Sequence, residues 1–258
     1  MTNSRKTSLD QILLPEWRWE YFFKIIYDYL LPFDLYPYPI SKEFLNRQTI
    51  LGSKTNSYEV NTATWACSAP KIRQARAACL TAGEKISVLN FVITPSYKLD
   101  LPFFGADLVT LPSGHLIALD FQPALKNDHQ HTKNVWDQLL PLHSKWQALL
   151  PSGGPVPEEA EPFFSPGFLW TRLPLGQEGD EIISKIIQPA FIDYFSLYLD
   201  LLSNANEVEN QRSLNILDGQ KRYMKYRSEK DPAKAMLTRF YGEKWTKNYI
   251  NRVLFDLQ

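Results

Sequence analysis

Leu101-Pro102-Phe103-Phe104-Gly105-Ala106-Asp107-Leu108-Val109-Thr110-Leu111 runs through Pro112-Ser113-Gly114 into His115-Leu116-Ile117-Ala118-Leu119-Asp120-Phe121-Gln122. Two apolar runs divided by a Pro/Gly turn read as strands, over residues 104–111 and 115–122, joined by a tight hairpin. Residues 86–94 read as a third strand. Connections this short imply antiparallel pairing, because a parallel pair needs a long crossover.

Asp107 is the only charge in the first run. An unpaired carboxylate among apolar side chains is costly as an anion and takes up a proton instead. A carboxylic acid held neutral near pH 7 is a proton donor. The plainer alternative is an aspartate hydrogen-bonded at a strand end or turn.

Outward from the hairpin, residues 133–150 predict a helix with Pro141 as a kink. Residues 151–157 read as a loop and 167–173 as a last short strand. Helix dominates from Glu178, with Ile182, Ile186, Ala190 and Tyr194 on one stripe and Pro189 set awkwardly within it. Residues 204–210 break that run. Helices resume from about Gln211 to the end, interrupted near Asp231-Pro232. Upstream, residues 70–82 predict a helix, with Pro70 at its start and Gly83 just past its end. Residues 57–67 have strand composition. Trp19, Phe22, Phe23, Ile26 and Leu30 give a helix over 15–31 one apolar face. Pro32, Pro37 and Pro39 hold an extended segment. Residues 1–14 read as a loose arm. The expectation is one domain over 15–258, an α/β/α sandwich whose central antiparallel sheet has helices on both faces.

Of the 258 residues, 44% are hydrophobic and 14% aromatic, and 28 Lys plus Arg balance 28 Asp plus Glu. The neutral balance gives no sign of nucleic acid, so a charged partner must meet a local patch. No apolar run approaches ~20 residues, which leaves no membrane span. The N-terminal residues lack a signal core or a transit composition. Cys67 and Cys79 cannot supply the four thiolates of an iron–sulfur cluster. Standard nucleotide loops and a nucleophile elbow are absent. His129 and His131 lack the further ligands of a zinc site and read as solvated loop histidines. His115 and His143 read as hydrogen-bonding residues. No bound cofactor or metal is expected.

Three strand segments each hold one isolated polar residue. Asn90 lies in Val88-Leu89-Asn90-Phe91-Val92, Asp107 in the opening run, and Arg172 in Trp170-Thr171-Arg172-Leu173. The Asn90 amide needs partners, and a polar ligand atom is one option. Arg172 needs an anion, from a protein carboxylate or a ligand. If the three face one way, they line a pocket between the sheet and the C-terminal helices. Asp231, before Pro232, fits an N-cap at the start of a helix, or a second acid.

Longer motifs carry a resemblance. They include Thr62-Ala63-Thr64-Trp65-Ala66-Cys67, residues 101–111, Gly114 to Asp120, Phe163-Phe164-Ser165-Pro166-Gly167-Phe168-Leu169-Trp170-Thr171-Arg172, Lys230-Asp231-Pro232-Ala233 and Val253-Leu254-Phe255-Asp256-Leu257. Over nearly its full length the chain resembles the ferredoxin-dependent bilin reductases. That resemblance implies the same sandwich fold and reduction of an open-chain tetrapyrrole without flavin, metal or nicotinamide. Reduced ferredoxin, an external donor, would deliver single electrons, the bilin would pass through radicals, and the protein would supply protons. Asp107 and Asp231 match the family's catalytic aspartates, and Arg172 matches the position that pairs with a propionate. Asn90, Phe104 and Leu108 are the other expected substrate contacts. Phycocyanobilin-forming relatives have a histidine where this chain has Asn90 and a glutamate near Ala78, which argues against four-electron reduction. The implied reaction is two-electron reduction of the A-ring diene of 15,16-dihydrobiliverdin. Its rivals are the reductase acting one step earlier on biliverdin and a bilin carrier without catalysis. The expected partners are ferredoxin, the bilin and the preceding reductase. The expected state is a monomer in the cytoplasm, or in the plastid stroma for a mature algal form. Two basic clusters are candidate ferredoxin contacts or solvated faces: Lys221, Arg222, Lys225 and Arg227, and Lys71, Arg73 and Arg76.

Overall fold

The hairpin over 104–122 forms as read, with Leu111 paired to Gly114 across Pro112-Ser113. The computed structural model describes Leu14 and residues 17–256. The strands are β1 (Tyr36–Pro37), β2 (Asn46–Ser53), β3 (Asn56–Ala69), β4 (Ile72–Ala82), β5 (Ile86–Pro95), β6 (Phe103–Leu111), β7 (Gly114–Gln122) and β8 (Leu169–Leu173). They form one sheet ordered β1-β3-β4-β5-β6-β7-β8, and β2 pairs with β3 off this path. Every pairing is antiparallel. The helices are α1 (Glu20–Leu30), α2 (Lys42–Leu45), α3 (His129–Gln147), α4 (Gln177–Ile182), α5 (Gln188–Asn204), α6 (Asn210–Lys230), α7 (Ala233–Tyr241) and α8 (Glu243–Tyr249).

Alternation along each strand divides the sheet residues between two cores. Leu89, Phe91, Leu108, Ile117 and Leu119 pack with α1, α3 and α5. Val60, Ala78, Leu80 and Phe103 pack with α2 and α6 to α8. The result is the expected α/β/α sandwich. Of the arm read over 1–14, only Leu14 is described; it is half-buried against the first core. Residues 15 and 16, where that helix was read to begin, lie outside the described residues, and α1 starts at Glu20.

Residues 70–82 correct the sequence reading. They form β4, a central strand, with Ala69 paired to Ile72 across a turn at Pro70-Lys71. Alanine favours helix as a short segment. Here Ala75, Ala77, Ala78, Cys79 and Ala82 are buried with helices over both faces, and packing overrides propensity. Gly83 (φ +53°) donates its N–H to Glu59 O at 2.8 Å in the β4–β5 turn, instead of ending a helix.

Pro189 is accommodated by a π-helical segment, Ile183–Ile187, between α4 and α5. Gln188 N–H bonds Ile183 O, five residues back. The extra residue shifts the apolar stripe, so Ile183 and Ile187 are buried in place of Ile182 and Ile186. His131 also departs from its reading. It lies buried in the first turn of α3, with Nδ1 2.6 Å from Asp100 Oδ1 and Nε2 accepting from Ala124 N–H. Arg212 donates to Asp100 at 2.7 Å and to both Asp128 oxygens. This cluster fastens the start of α6 to the loops beside β6 and α3.

Candidate active site

Pairing places Ala78, Asn90, Asp107, Ala118 and Trp170 in one row across β4 to β8. Arg172 lies two residues beyond Trp170, on the same face. The three isolated polar residues therefore face one way, toward the α6–α8 layer. That layer buries the β3–β4 half of the face. Over β5 to β8, Val88, Asn90, Gly105, Asp107, Val109, Leu116, Ala118 and Trp170 stay half-buried, while the residues alternating with them are buried. The outcome is a largely apolar, half-buried stretch of sheet with a carboxylate at its centre.

Asp107 is neither fully buried nor unpaired, contrary to the first reading. Its Oδ1 accepts from Asn90 Nδ2, and Asn90 Oδ1 accepts from Arg76 Nη1 at 2.7 Å. Asp231 stands at the α6–α7 joint with its side chain 7% exposed. Its Oδ1 accepts from Ala233 N–H at 2.8 Å, and its Oδ2 lies 3.7 Å from Arg227 Nη2. Asp231 thus caps the first turn through Ala233 N–H, although the N-cap position itself is Pro232 and α7 begins at Ala233, one residue later than the sequence reading has it. Burial pushes the Asp231 carboxyl upward, and the charge of Asp107 adds to this. Arg227, the Ala233 N–H and Arg76 pull it back. The charge of Asp107, on the sheet, therefore reaches Asp231 at the helix joint.

Around them, Tyr223 stacks on Phe103 at 4.3 Å and donates to Gln122 Oε1. Phe163 stacks on Tyr226 at 4.3 Å. Asp120, in the row beside Asp107, accepts from Ser165 N–H and Oγ–H, which pins the turn carrying Phe163. Burial pushes its carboxyl up to about 7. The 151–157 loop lies against Trp170, and a Cβ on Gly153 would come within 2.2 Å of the indole. Arg172 is exposed, makes no ion pair among the described residues, and has its guanidinium 5.7 Å from the Trp170 ring centroid.

Two expected substrate contacts are misplaced. Phe104 and Leu108 are odd-numbered steps from Asp107, so they point to the opposite face. Phe104 packs on Phe195 and Tyr198, and both it and Leu108 are fully buried in the first core. The basic cluster Lys71, Arg73 and Arg76 also fails as a docking face. Lys71 is tied to Ser203 O and Ala205 O, Arg73 to Asp256 O, and Arg76 is buried. On α6, Lys221, Arg222 and Lys225 are exposed, but Arg227 turns inward.

Sequence reasoning missed the place of Arg76, Tyr223 and Arg227 in this site, and read the two arginines only as members of basic clusters. The helix reading of 70–82 hid the first. The four-residue spacing of Arg227 and Asp231 was a legible signal for the last. Among the described residues, no group of three or more His, Cys, Asp or Glu is placed to hold a metal ion, and no helix is long and apolar enough to cross a membrane.

Two carboxyls beside a largely apolar sheet face, one on β6 and one at the α6–α7 joint, with an exposed arginine on β8, can bind and protonate a flat, anionic, unsaturated ligand. The family profile described as ferredoxin-dependent bilin reductase matches residues 26–256, and the chain belongs to that family of oxidoreductases. Among individual relatives, it is 57% identical over 253 residues to phycoerythrobilin:ferredoxin oxidoreductase of Prochlorococcus marinus strain MIT 9303, covering 98% of each chain. It is 58% identical over 254 residues to the protein of that name from Parasynechococcus marenigrum strain WH8102, covering 98% of this chain and 97% of the relative. A crystal structure of phytochromobilin synthase from tomato in complex with biliverdin superposes with a TM-score of 0.80 at 27% identity. The match covers 93% of this chain and 83% of that one.

Proposed function

We propose that the chain reduces 15,16-dihydrobiliverdin to phycoerythrobilin by two electrons at the A-ring diene. Two reduced ferredoxins each give up one electron, and the bilin passes through a radical between them. Two protons complete the two new C–H bonds. Asp107 gives one from the sheet side and Asp231 one from the helix side, and solvent refills both. Arg172, which makes no ion pair among the described residues, holds a propionate. Lys221, Arg222 and Lys225 on α6 meet acidic ferredoxin. The protein acts as a cytoplasmic monomer and takes its substrate from the preceding bilin reductase.

The observation that carries this reading is the placement of Asp107 on the half-buried face of the sheet, where its charge reaches Asp231. The names of the near-full-length relatives support the substrate assignment. The test is an anaerobic assay with reduced ferredoxin, offering biliverdin and dihydrobiliverdin separately. Consumption of dihydrobiliverdin alone, with product absorption at the phycoerythrobilin position, is expected. Consumption of biliverdin would assign the earlier step. Binding of both without turnover would make the chain a carrier.

A further inference from the structure

Arg76 stands behind Asp107, on β4, with 0% exposure. Its Nη1 donates to Asn90 Oδ1 at 2.7 Å and reaches Asn90 O at 3.4 Å. Its Nε and Nη2 have no hydrogen-bond partner among the described residues. A guanidinium has donors and no acceptor. The Asn90 atom facing it must therefore be the amide oxygen, which sends Nδ2 toward Asp107. An amide NH2 only donates, so Asp107 Oδ1 must accept. Hydrogen-bond polarity thus runs one way from β4 through β5 to β6. Asp107 Oδ2 makes no hydrogen bond to a described residue.

Resting on the proposed acid role of Asp107, we propose that Arg76 is a positioning residue: by fixing the direction of the Asn90 amide, it keeps the transferable proton of Asp107 on Oδ2. With the amide reversed, Asn90 Oδ1 would accept from Asp107 Oδ1–H, and the proton would be tied into the sheet. A donor-only neighbour excludes that arrangement; an apolar side chain of similar volume would fill the space without excluding it. The other groups whose charge reaches Asp107 are Tyr223 and Arg227 from α6 and Asp231 from the α6–α7 joint, while Tyr249 from α8 faces Arg76. Among the described residues, only Arg76 and Asp107 bond the Asn90 side chain.

The test is anaerobic single turnover of the full chain with reduced ferredoxin and dihydrobiliverdin, followed against pH. The variants are Arg76→Lys, Arg76→Gln, Asn90→Ala and the doubles that combine each Arg76 change with Asn90→Ala. Lysine also only donates, whereas glutamine can face Asn90 either way. Arg76→Lys should stay within roughly 5-fold of wild type. Arg76→Gln should lose on the order of 10- to 100-fold, the lower range of an acid catalyst's contribution, with an altered pH profile and unchanged bilin binding. In the Asn90→Ala background neither Arg76 change should cost more. Equal losses for Lys and Gln, or losses that multiply with Asn90→Ala, would overturn the proposal. A second measurement needs no Arg76 variant. In wild-type protein one Asn90 Nδ2 proton should resonate downfield of a free amide and lose that shift in Asp107→Ala; an unshifted proton overturns the proposed direction. If Asp107→Asn turns over at the wild-type rate, the acid reading falls and takes this inference with it. If Asp107→Asn is inactive while Arg76→Gln is normal, this inference alone falls.

Discussion

Replacing Asp120 with Asn should make the fold less sensitive to pH. Asp120 is 2% exposed on β7, and burial raises its carboxyl from 3.8 to about 7 against the opposing Ser165 hydrogen bonds. A folded-state pKa above the unfolded one means its stabilisation is complete below about 4. It is then lost as pH climbs through about 7. Across that window each pH unit removes ~1.4 kcal/mol, or ~4 kcal/mol in all. Asparagine has no proton to lose. It can still accept from Ser165 N–H and donate to Ser165 Oγ, so its own cost is roughly constant with pH. His115 runs the other way: burial lowers it to about 4, so its stabilisation is present above about 6.5 and lost as pH falls toward 4. That contribution is common to both proteins and cancels in their difference. Urea unfolding of wild type and Asp120→Asn, at intervals from about pH 4 to pH 8, should show the variant gaining on wild type by ~4 kcal/mol. A difference that stays constant with pH would refute the reasoning, because Asp120 would then be an ordinary carboxylate held by Ser165.

Arg227→Gln removes a charge that pulls the Asp231 carboxyl down, so Asp231 should keep its proton to higher pH. The alkaline limb of the kcat profile should move upward, and a limb that stays or moves down contradicts the role. Arg172→Gln should weaken bilin binding by ~1.5–3 kcal/mol, the scale of a charge-assisted hydrogen bond. Esterified propionates should weaken wild-type binding similarly and add little in the variant, and simple additivity would sink the pairing. Changing two of Lys221, Arg222 and Lys225 to Glu should raise the apparent KM for ferredoxin and leave bilin affinity alone. The wild-type rate at limiting ferredoxin should fall with salt as the Debye length shrinks from ~10 Å at 0.1 M to ~3 Å at 1 M; indifference to salt would remove charge steering.

The sheet from β5 to β7 was legible because apolar runs and the Pro112-Ser113 turn fix both strand identity and pairing. β4 was not, since an Ala-rich segment reads as helix until two helix layers cover it. That error moved Arg76 from the sheet to an imagined surface, and with it the link behind Asn90. Asn90, Asp107 and Arg172 were legible as polar interruptions in apolar strands. Phe104 and Leu108 were misjudged because nearness along a strand is not nearness on a face: alternation sends neighbours to opposite layers. The Arg212, Asp100, Asp128 and His131 cluster was invisible because Asp100, the Asp128–His131 turn and Arg212 are separated along the chain, and Arg212 joins them only once α6 docks.

The most direct test compares wild type and Asp107→Asn in anaerobic turnover of 15,16-dihydrobiliverdin with reduced ferredoxin, with bilin binding measured on the same samples by absorbance. The amide fills the same volume and cannot give up a proton. Binding should be retained and turnover should fall by ~100- to 10,000-fold. A variant that binds bilin and turns it over at close to the wild-type rate would contradict the assignment of Asp107 as the proton donor at the centre of this site.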